Sequence, residues 1–352
     1  MRRLPLLLIL AVVLSASVLL RAADDLVLSR FGDYLDSLRL QAGIPGLAAT
    51  LVSSTDVMWE QAFGLQDVER NVHARLVTPF HVDGLTQIVV ASLALRCAES
   101  GWLSLDARAG DFDRSNPEPN ATLRQLLTHT TDGPDGLRFK YRPDRLAPLA
   151  AAVSSCTDSS FRKGVAGLLD RMAMADSVPG PDAVRNAPGA PDFAAPVLDR
   201  YGSVLGSLAV PYLVDAKGRP SPSRYPATTL TPASGLITTA ADLAKFDLAL
   251  KKYVVLRPET LALARTPPLD RNGQRLPHGL GWFVQTYSGE PIVWQFGVAD
   301  NAASSMIVTA PRRGLTLILV ANSSGLARPF SLEEGDLTVS PFARLFLGIF
   351  VR

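Results

Sequence analysis

The sequence is poor in the residues that build metal centres and disulfide frameworks. It holds two cysteines and four histidines among 352 residues. The histidines (His73, His81, His129 and His278) are scattered and the cysteines (Cys97 and Cys156) lie far apart. No zinc-ligand spacing results, so a metallo-hydrolase is not expected, and no cofactor is expected. An excess of one charge sign is also missing. The net charge is +2 with both signs interspersed, which argues against nucleic acid as a partner. There is no internal repeat and no long low-complexity tract. Apolar residues are plentiful: 47% of the chain is hydrophobic and 19% charged, enough for one large core or two lobes.

The N-terminus carries its own signal. Arg2 and Arg3 precede an apolar run from Leu4 to Leu20, broken only by Pro5, Ser15 and Ser17. Residues 1–23 read as a secretory signal peptide or an uncleaved anchor. Either predicts export to the periplasm or the extracellular space, the second with a membrane tether. An oxidising compartment permits one disulfide. Cys97, however, falls in a helix-periodic apolar stretch, which favours reading both cysteines as small buried residues in separate helices.

Hydrophobic spacing predicts a helix over Leu26–Leu40, then strands over Gly43–Val52 and Val57–Gly64. Thr86–Glu99 is apolar nearly all round and predicts a buried central helix closed by Ser100-Gly101. Further helices are expected over Leu146–Val153 and Val165–Met172. Ser177–Tyr225 is rich in Pro and Gly and reads as long loops with at most short elements. Thr239 can cap a helix running to about Tyr253, with Asp242 as the reciprocal acid. Strands follow over Gly281–Thr286, Ile292–Phe296, Ser304–Ala310 and Leu315–Ala321, and a helix over Pro341–Phe350 closes the chain. Strands at both ends with helices between imply an α/β (α+β) lobe of about residues 26–80 and 270–352, with a helical lobe of about 81–269 inserted.

Thr78 to Gln87 read TPFHVDGLTQ. This resembles the T-P-F-x-x-G-S-x-T-K of the serine β-lactamase-like superfamily, which includes class C β-lactamases, DD-peptidases and esterases. Further segments resemble that family in the same order: Gly101-Trp102-Leu103, Leu126 to Gly133 (L-L-T-H-T-S-G), Pro232 to Phe246 (P-A-G-G-L-x-S-T-x-x-D-L-A-x-F), Gly279 to Trp282 (G-L-G-W), and the closing strand Leu315 to Asn322. The resemblance implies a β-lactamase/transpeptidase-like fold: an antiparallel sheet flanked by helices, an inserted helical lobe, and a cleft between the lobes.

The resemblance places the nucleophile on Gly84 and the activating lysine on Gln87. The Tyr-x-Asn motif falls on Tyr141 and Pro143. The Lys-Thr-Gly motif of an edge strand falls on Gln295, Phe296 and Gly297. Acyl transfer by this family's route needs a hydroxyl, an amine to deprotonate it, a phenol, and two backbone N–H groups as an oxyanion hole. The chain can supply the phenol of Tyr141 and backbone donors at Gly84 and near Val298. It lacks the nucleophile, the base and the cation that would attract a substrate carboxylate. Loss of a nucleophile alone costs about a millionfold in a serine protease. The expectation is a pseudoenzyme whose cleft binds a small molecule or a cell-envelope partner through Tyr141, Gln87, Gln295 and Asp83. On this reading a Gly84→Ser/Gln87→Lys variant rebuilds the dyad on a competent scaffold.

The alternative is a hydrolase working through other groups. His81 and Asp83 would share a face if Phe80–Asp83 were extended, and could then activate a water. Ser160-Phe161-Arg162-Lys163 is the one literal Ser/Thr-x-x-Lys, a match that six lysines make by chance about once. His129 reads as a residue that ties a loop, and His73 and His278 as isolated loop residues.

Overall fold

The computed structural model describes residues 25–134, 136–184 and 192–352. The N-terminal segment, and with it the signal or anchor reading, lies outside them.

A helix over residues 25–41 (α1) leads into β1 (Gly46–Val52), β2 (Val57–Asp67) and the short β3 (Val72–His73). The chain returns to the same sheet near its end through β10 (Phe283–Tyr287), β11 (Glu290–Ala299), β12 (Ala303–Ala310) and β13 (Leu315–Ala321). The result is one seven-stranded sheet in the order β10-β11-β12-β13-β1-β2-β3, antiparallel throughout. Between these two sheet segments lie β4 (Phe80–His81), α2 (Thr86–Glu99), α3 (Ala109–Phe112), α4 (Leu123–Leu127), the hairpin β5 (Thr130–Gly133) and β6 (Gly136–Phe139), α5 (Pro148–Thr157) and α6 (Phe161–Arg171). They are followed by α7 (Ala195–Gly206), the hairpin β7 (Tyr212–Val214) and β8 (Pro220–Pro222), β9 (Ile237–Thr238), α8 (Ala240–Lys251) and α9 (Pro258–Ala264). A final helix, α10 (Pro341–Phe346), follows β13.

Strand alternation sends side chains to two cores. Ile292, Trp294, Phe296, Met306, Val308, Leu317 and Leu319 pack with Phe31 and Leu35 of α1 and Phe342 and Phe346 of α10. Val293, Ile307, Ile318 and Val320 join the larger core around α2 and α8. Gln295 and Gly297 share the parity of Val293, so they face α2, which brings the third motif to the first.

The central helix is as the hydrophobic pattern requires: nearly every residue of Thr86–Glu99 is buried. Two expectations are corrected. The stretch read as loops contains α7, a twelve-residue helix. Its Pro196 and its two glycines (Gly202 and Gly206) read as breakers, but the proline occupies the first turn, where it is tolerated, and both glycines face open space. The cysteines are not separate buried thiols. Cys97 of α2 and Cys156 of α5 form a disulfide with Cα atoms 5.9 Å apart. A cysteine on a buried helix can pair across to a packed neighbour as readily as fill space, and one-dimensional periodicity does not distinguish the two.

Candidate functional site

The turn that opens α2 is built from β4, the 3-10 turn Asp83–Leu85 and the free end of β11. β10 pairs with β11 only from Glu290 to Trp294. Gln295 to Ala299 therefore have no strand on their outer side, and the Asp83–Leu85 turn packs there. Gly84 and Gly297 meet backbone to backbone. A Cβ added at Gly84 would overlap the carbonyl oxygen of Phe296 and lie 3.2 Å from Gly297 Cα. One added at Gly297 would overlap the carbonyl oxygen of Val82 and lie 2.7 Å from the Gly84 nitrogen. Ser305 Oγ clamps the same turn by donating to the Val82 carbonyl at 2.6 Å. The position matching the nucleophile is thus empty of a side chain and also closed to one.

The residue before it carries the side chain instead. Asp83 has φ +42°, a left-handed conformation that aspartate tolerates better than most residues. The backbone N–H groups of Val298 and Gly84 lie beside its carboxyl and favour its ionised form. These are the two donors that acyl transfer would use for its oxyanion. Burial raises the Asp83 pKa from 3.8 to about 7, the two N–H groups oppose that rise, and Asp300 adds to it.

Gln87 is wired at both ends. His129 Nδ1 accepts the backbone N–H of Arg142 at 3.1 Å, so its proton sits on Nε2 and is donated to Gln87 Oε1 at 3.2 Å. Gln87 Nε2 in turn donates to the Tyr141 hydroxyl at 2.7 Å. The Tyr141 ring packs 5.4 Å from both Phe283 and Phe296, and burial pushes its phenol pKa upward. A neutral amide can bridge a histidine donor and a phenol oxygen; an ammonium, which only donates, could not accept from His129. His129 ties its loop through Arg142, and burial holds its pKa well below the ordinary value.

Gly84, Gln87, Tyr141, Pro143 and Asp83 line one pocket of about 290 Å³. Asp300, Arg328 and Glu333, which no sequence motif singled out, also line it, together with Ser234 of the Pro232–Phe246 segment. Arg328 is held by Asp300 through bonds of 2.9 and 3.1 Å, leaving the carboxyl groups of Asp83 and Glu333 unmatched by a second cation in the pocket wall.

Several expected members are elsewhere. Gln295 is fully buried and does not line the pocket: its Nε2 donates to the Gly281 carbonyl at 3.2 Å and its Oε1 accepts the Phe296 N–H at 2.9 Å. His278 is not an isolated loop residue. It is fully buried, packs 4.5 Å from Phe283 and 4.7 Å from His129, and its pKa is lowered to about 3 by burial. His81 is buried against Tyr225, its Nδ1 accepts the Asp83 N–H at 3.3 Å, and burial lowers its pKa to about 4. Because the chain leaves β4 after His81 and turns left-handed at Asp83, the shared face expected of an extended strand does not form. Ser160 caps α6 by accepting the Lys163 N–H at 3.2 Å, and its hydroxyl donates to Asp192. Its side chain is engaged as a helix cap, not poised against the Lys163 amine. Among the described residues no group of three or more His, Cys, Asp or Glu is placed to hold a metal.

A sequence model of the Beta-lactamase family matches residues 27–334. The chain belongs to the β-lactamase family. The fold agrees. The D-alanine carboxypeptidase AmpC from Burkholderia cenocepacia superposes with TM-score 0.68 at 20% identity, covering 93% of this chain and 99% of that one. The octameric penicillin-binding protein homologue from Pyrococcus abyssi gives 0.69 at 19% identity, covering 84% and 74%. A class C beta lactamase from Rhodobacter sphaeroides gives 0.65 at 17% identity, covering 90% and 96%. At these identities the likeness is one of fold. No curated protein matches the chain. Asp83-Gly84 stands where the resemblance places the motif's Gly-Ser pair.

Proposed function

We propose that this β-lactamase-family chain is catalytically silent and exported, and that it keeps its cleft for binding a small molecule or a cell-envelope partner. The observation that carries the reading is the closure at Gly84: no side chain is present, none fits, and the carboxyl of Asp83 stands beside the N–H groups an oxyanion would need. Without nucleophile or base no acyl-enzyme forms. The third-motif position, Gln295, offers no cation to attract the carboxylate of a β-lactam, and the one arginine of the pocket wall, Arg328, is paired with Asp300. The Cys97–Cys156 disulfide is consistent with an oxidising compartment.

The alternative, an active hydrolase built on other groups, finds no support in geometry. His81 is sealed in the core, and Ser160 is a helix cap. Intact-mass measurement after incubation with a fluorophosphonate and with a β-lactam tests the reading. An unmodified mass is expected. A stoichiometric adduct on the wild-type protein overturns silence, and the labelled residue identifies the nucleophile.

A further inference from the structure

At the other end of α2 lies a pocket of about 360 Å³ whose walls come from α2, the end of α5 and α6, with the disulfide in its lining. Three cations border it: Arg96, Arg171 and Lys163. Arg96 and Arg171 make no ion pair within 4 Å among the described residues, although Arg96 is largely covered and makes one long bond to the Val255 carbonyl. Burial and then the positive charge of Arg171 act against the Arg96 guanidinium, and the Glu99 carboxylate opposes them in part. The neighbouring acids are committed elsewhere. Glu99 accepts the Arg257 N–H at 2.7 Å, and Asp170 pairs with Arg200 at 3.1 Å. Asp192 lies 3.9 Å from Arg162 and 4.0 Å from Lys163.

Trp102 lines the same pocket and is 76% exposed, more than any other exposed large hydrophobic residue. The other indoles are covered: Trp282 is 2% and Trp294 0% exposed, and Trp59 is half-buried. Both arginines stand in the last turns of their helices, where a cation complements the helix dipole. That accounts for each arginine separately. It does not account for their convergence, without a direct ion pair, on one concave surface beside an open indole.

We infer that the Arg96–Arg171–Lys163 pocket binds an anionic sugar, with the phosphate or carboxylate between the guanidinium groups and the sugar ring against Trp102. Guanidinium forks match the oxygen pairs of either anion. An indole offers a flat apolar face with a polar edge, and the hydroxyls of Ser100 and Ser159 at the rim suit a polyol. The site is separate from the cleft and does not rest on its silence.

Titration of the full chain at constant ionic strength tests this, read by tryptophan emission and by thermal shift. The probes are glucose 6-phosphate, glucuronate, inorganic phosphate and neutral glucose. Saturable changes are expected with glucose 6-phosphate or glucuronate, whichever is stronger naming the anion, and none with glucose. Arg171→Gln, at an exposed position, weakens binding about tenfold, the loss of one charge-assisted contact. Trp102→Ala removes the emission change and weakens the thermal shift. The inference is overturned if no anion gives a saturable response below about 10 mM, a standard free energy near −3 kcal/mol. It is also overturned if Arg171→Gln leaves affinity unchanged, or if inorganic phosphate binds as well as both sugars.

Discussion

At the N-terminal end of α2 the Gln87 amide is matched at both ends inside the protein, whereas at its C-terminal end Arg96 and Arg171 make no ion pair within 4 Å among the described residues. At the first end Gln87 bridges His129 and Tyr141, and the Asp83 carboxyl stands beside the N–H groups of Gly84 and Val298. At the second, Arg96 and Arg171 line a pocket with no carboxylate between them. The contrast is between a polar amide matched within the chain at one end and arginines without a carboxylate partner at the other. A buried donor left unsatisfied costs about 1–3 kcal/mol, which favours internal partners for the Gln87 amide. Unmatched charge that persists at a concave surface points to something outside the chain.

The largest test of this contrast acts at the C-terminal end. The disulfide closes a sequence separation of 59 residues, which corresponds to about 4 kcal/mol in the chain-entropy account. A Cys97→Ala/Cys156→Ala variant should lose stability on that order in urea unfolding. A loss below ~1 kcal/mol would show that the helices hold each other without the link.

Next is the pH dependence set by Asp83. Its folded pKa, about 7, exceeds the ordinary 3.8, so the folded state disfavours the ionised form. Its contribution to stability is therefore full below about pH 4, declines as pH rises towards 7, and levels off above that. A shift of this size, discounted because the carboxyl is part-open to the pocket, corresponds to about 3 kcal/mol. Asp83→Asn keeps the left-handed turn and should be more stable than wild type at pH 8 but not at pH 4. Parallel stability curves for the two proteins would mean that Asp83 is not confined by burial.

The smallest effect concerns the relay. Tyr141→Phe removes the acceptor for Gln87 Nε2 and should cost about 1 kcal/mol in thermal or chemical unfolding. A stabilised variant would mean that the amide finds another acceptor, and the N-terminal end would be less fully matched than described.

Much of this was legible in the sequence for physical reasons. Helical and strand periodicities located α1, α2 and the four strands after Gly281, because each buries a defined face. The motif positions brought Gly84, Gln87, Tyr141 and Pro143 to one pocket. What the sequence could not show depends on a second chain segment. Gln295 turns inward because Gly281 offers a carbonyl there. His278 joins a cluster with His129 and Phe283 that forms only in three dimensions. Asp300, Arg328 and Glu333 reach the pocket from loops without pattern. α7 was hidden by residues that usually break helices but here sit where they do no harm.

The revised expectation for the rebuilt dyad follows from the closure at Gly84. Sequence alone implied that Gly84→Ser/Gln87→Lys would restore a competent site. The Phe296 carbonyl occupies the space such a side chain needs, and a lysine at position 87 would forfeit the bond from His129. The most direct test of the account is intact-mass labelling of this double variant by a fluorophosphonate, beside its urea unfolding curve. The account predicts a variant destabilised by about 2 kcal/mol, as overpacking costs, and not labelled at position 84. Rapid labelling at position 84 in a variant as stable as wild type would contradict it, showing a site that lost its reagents but kept its room.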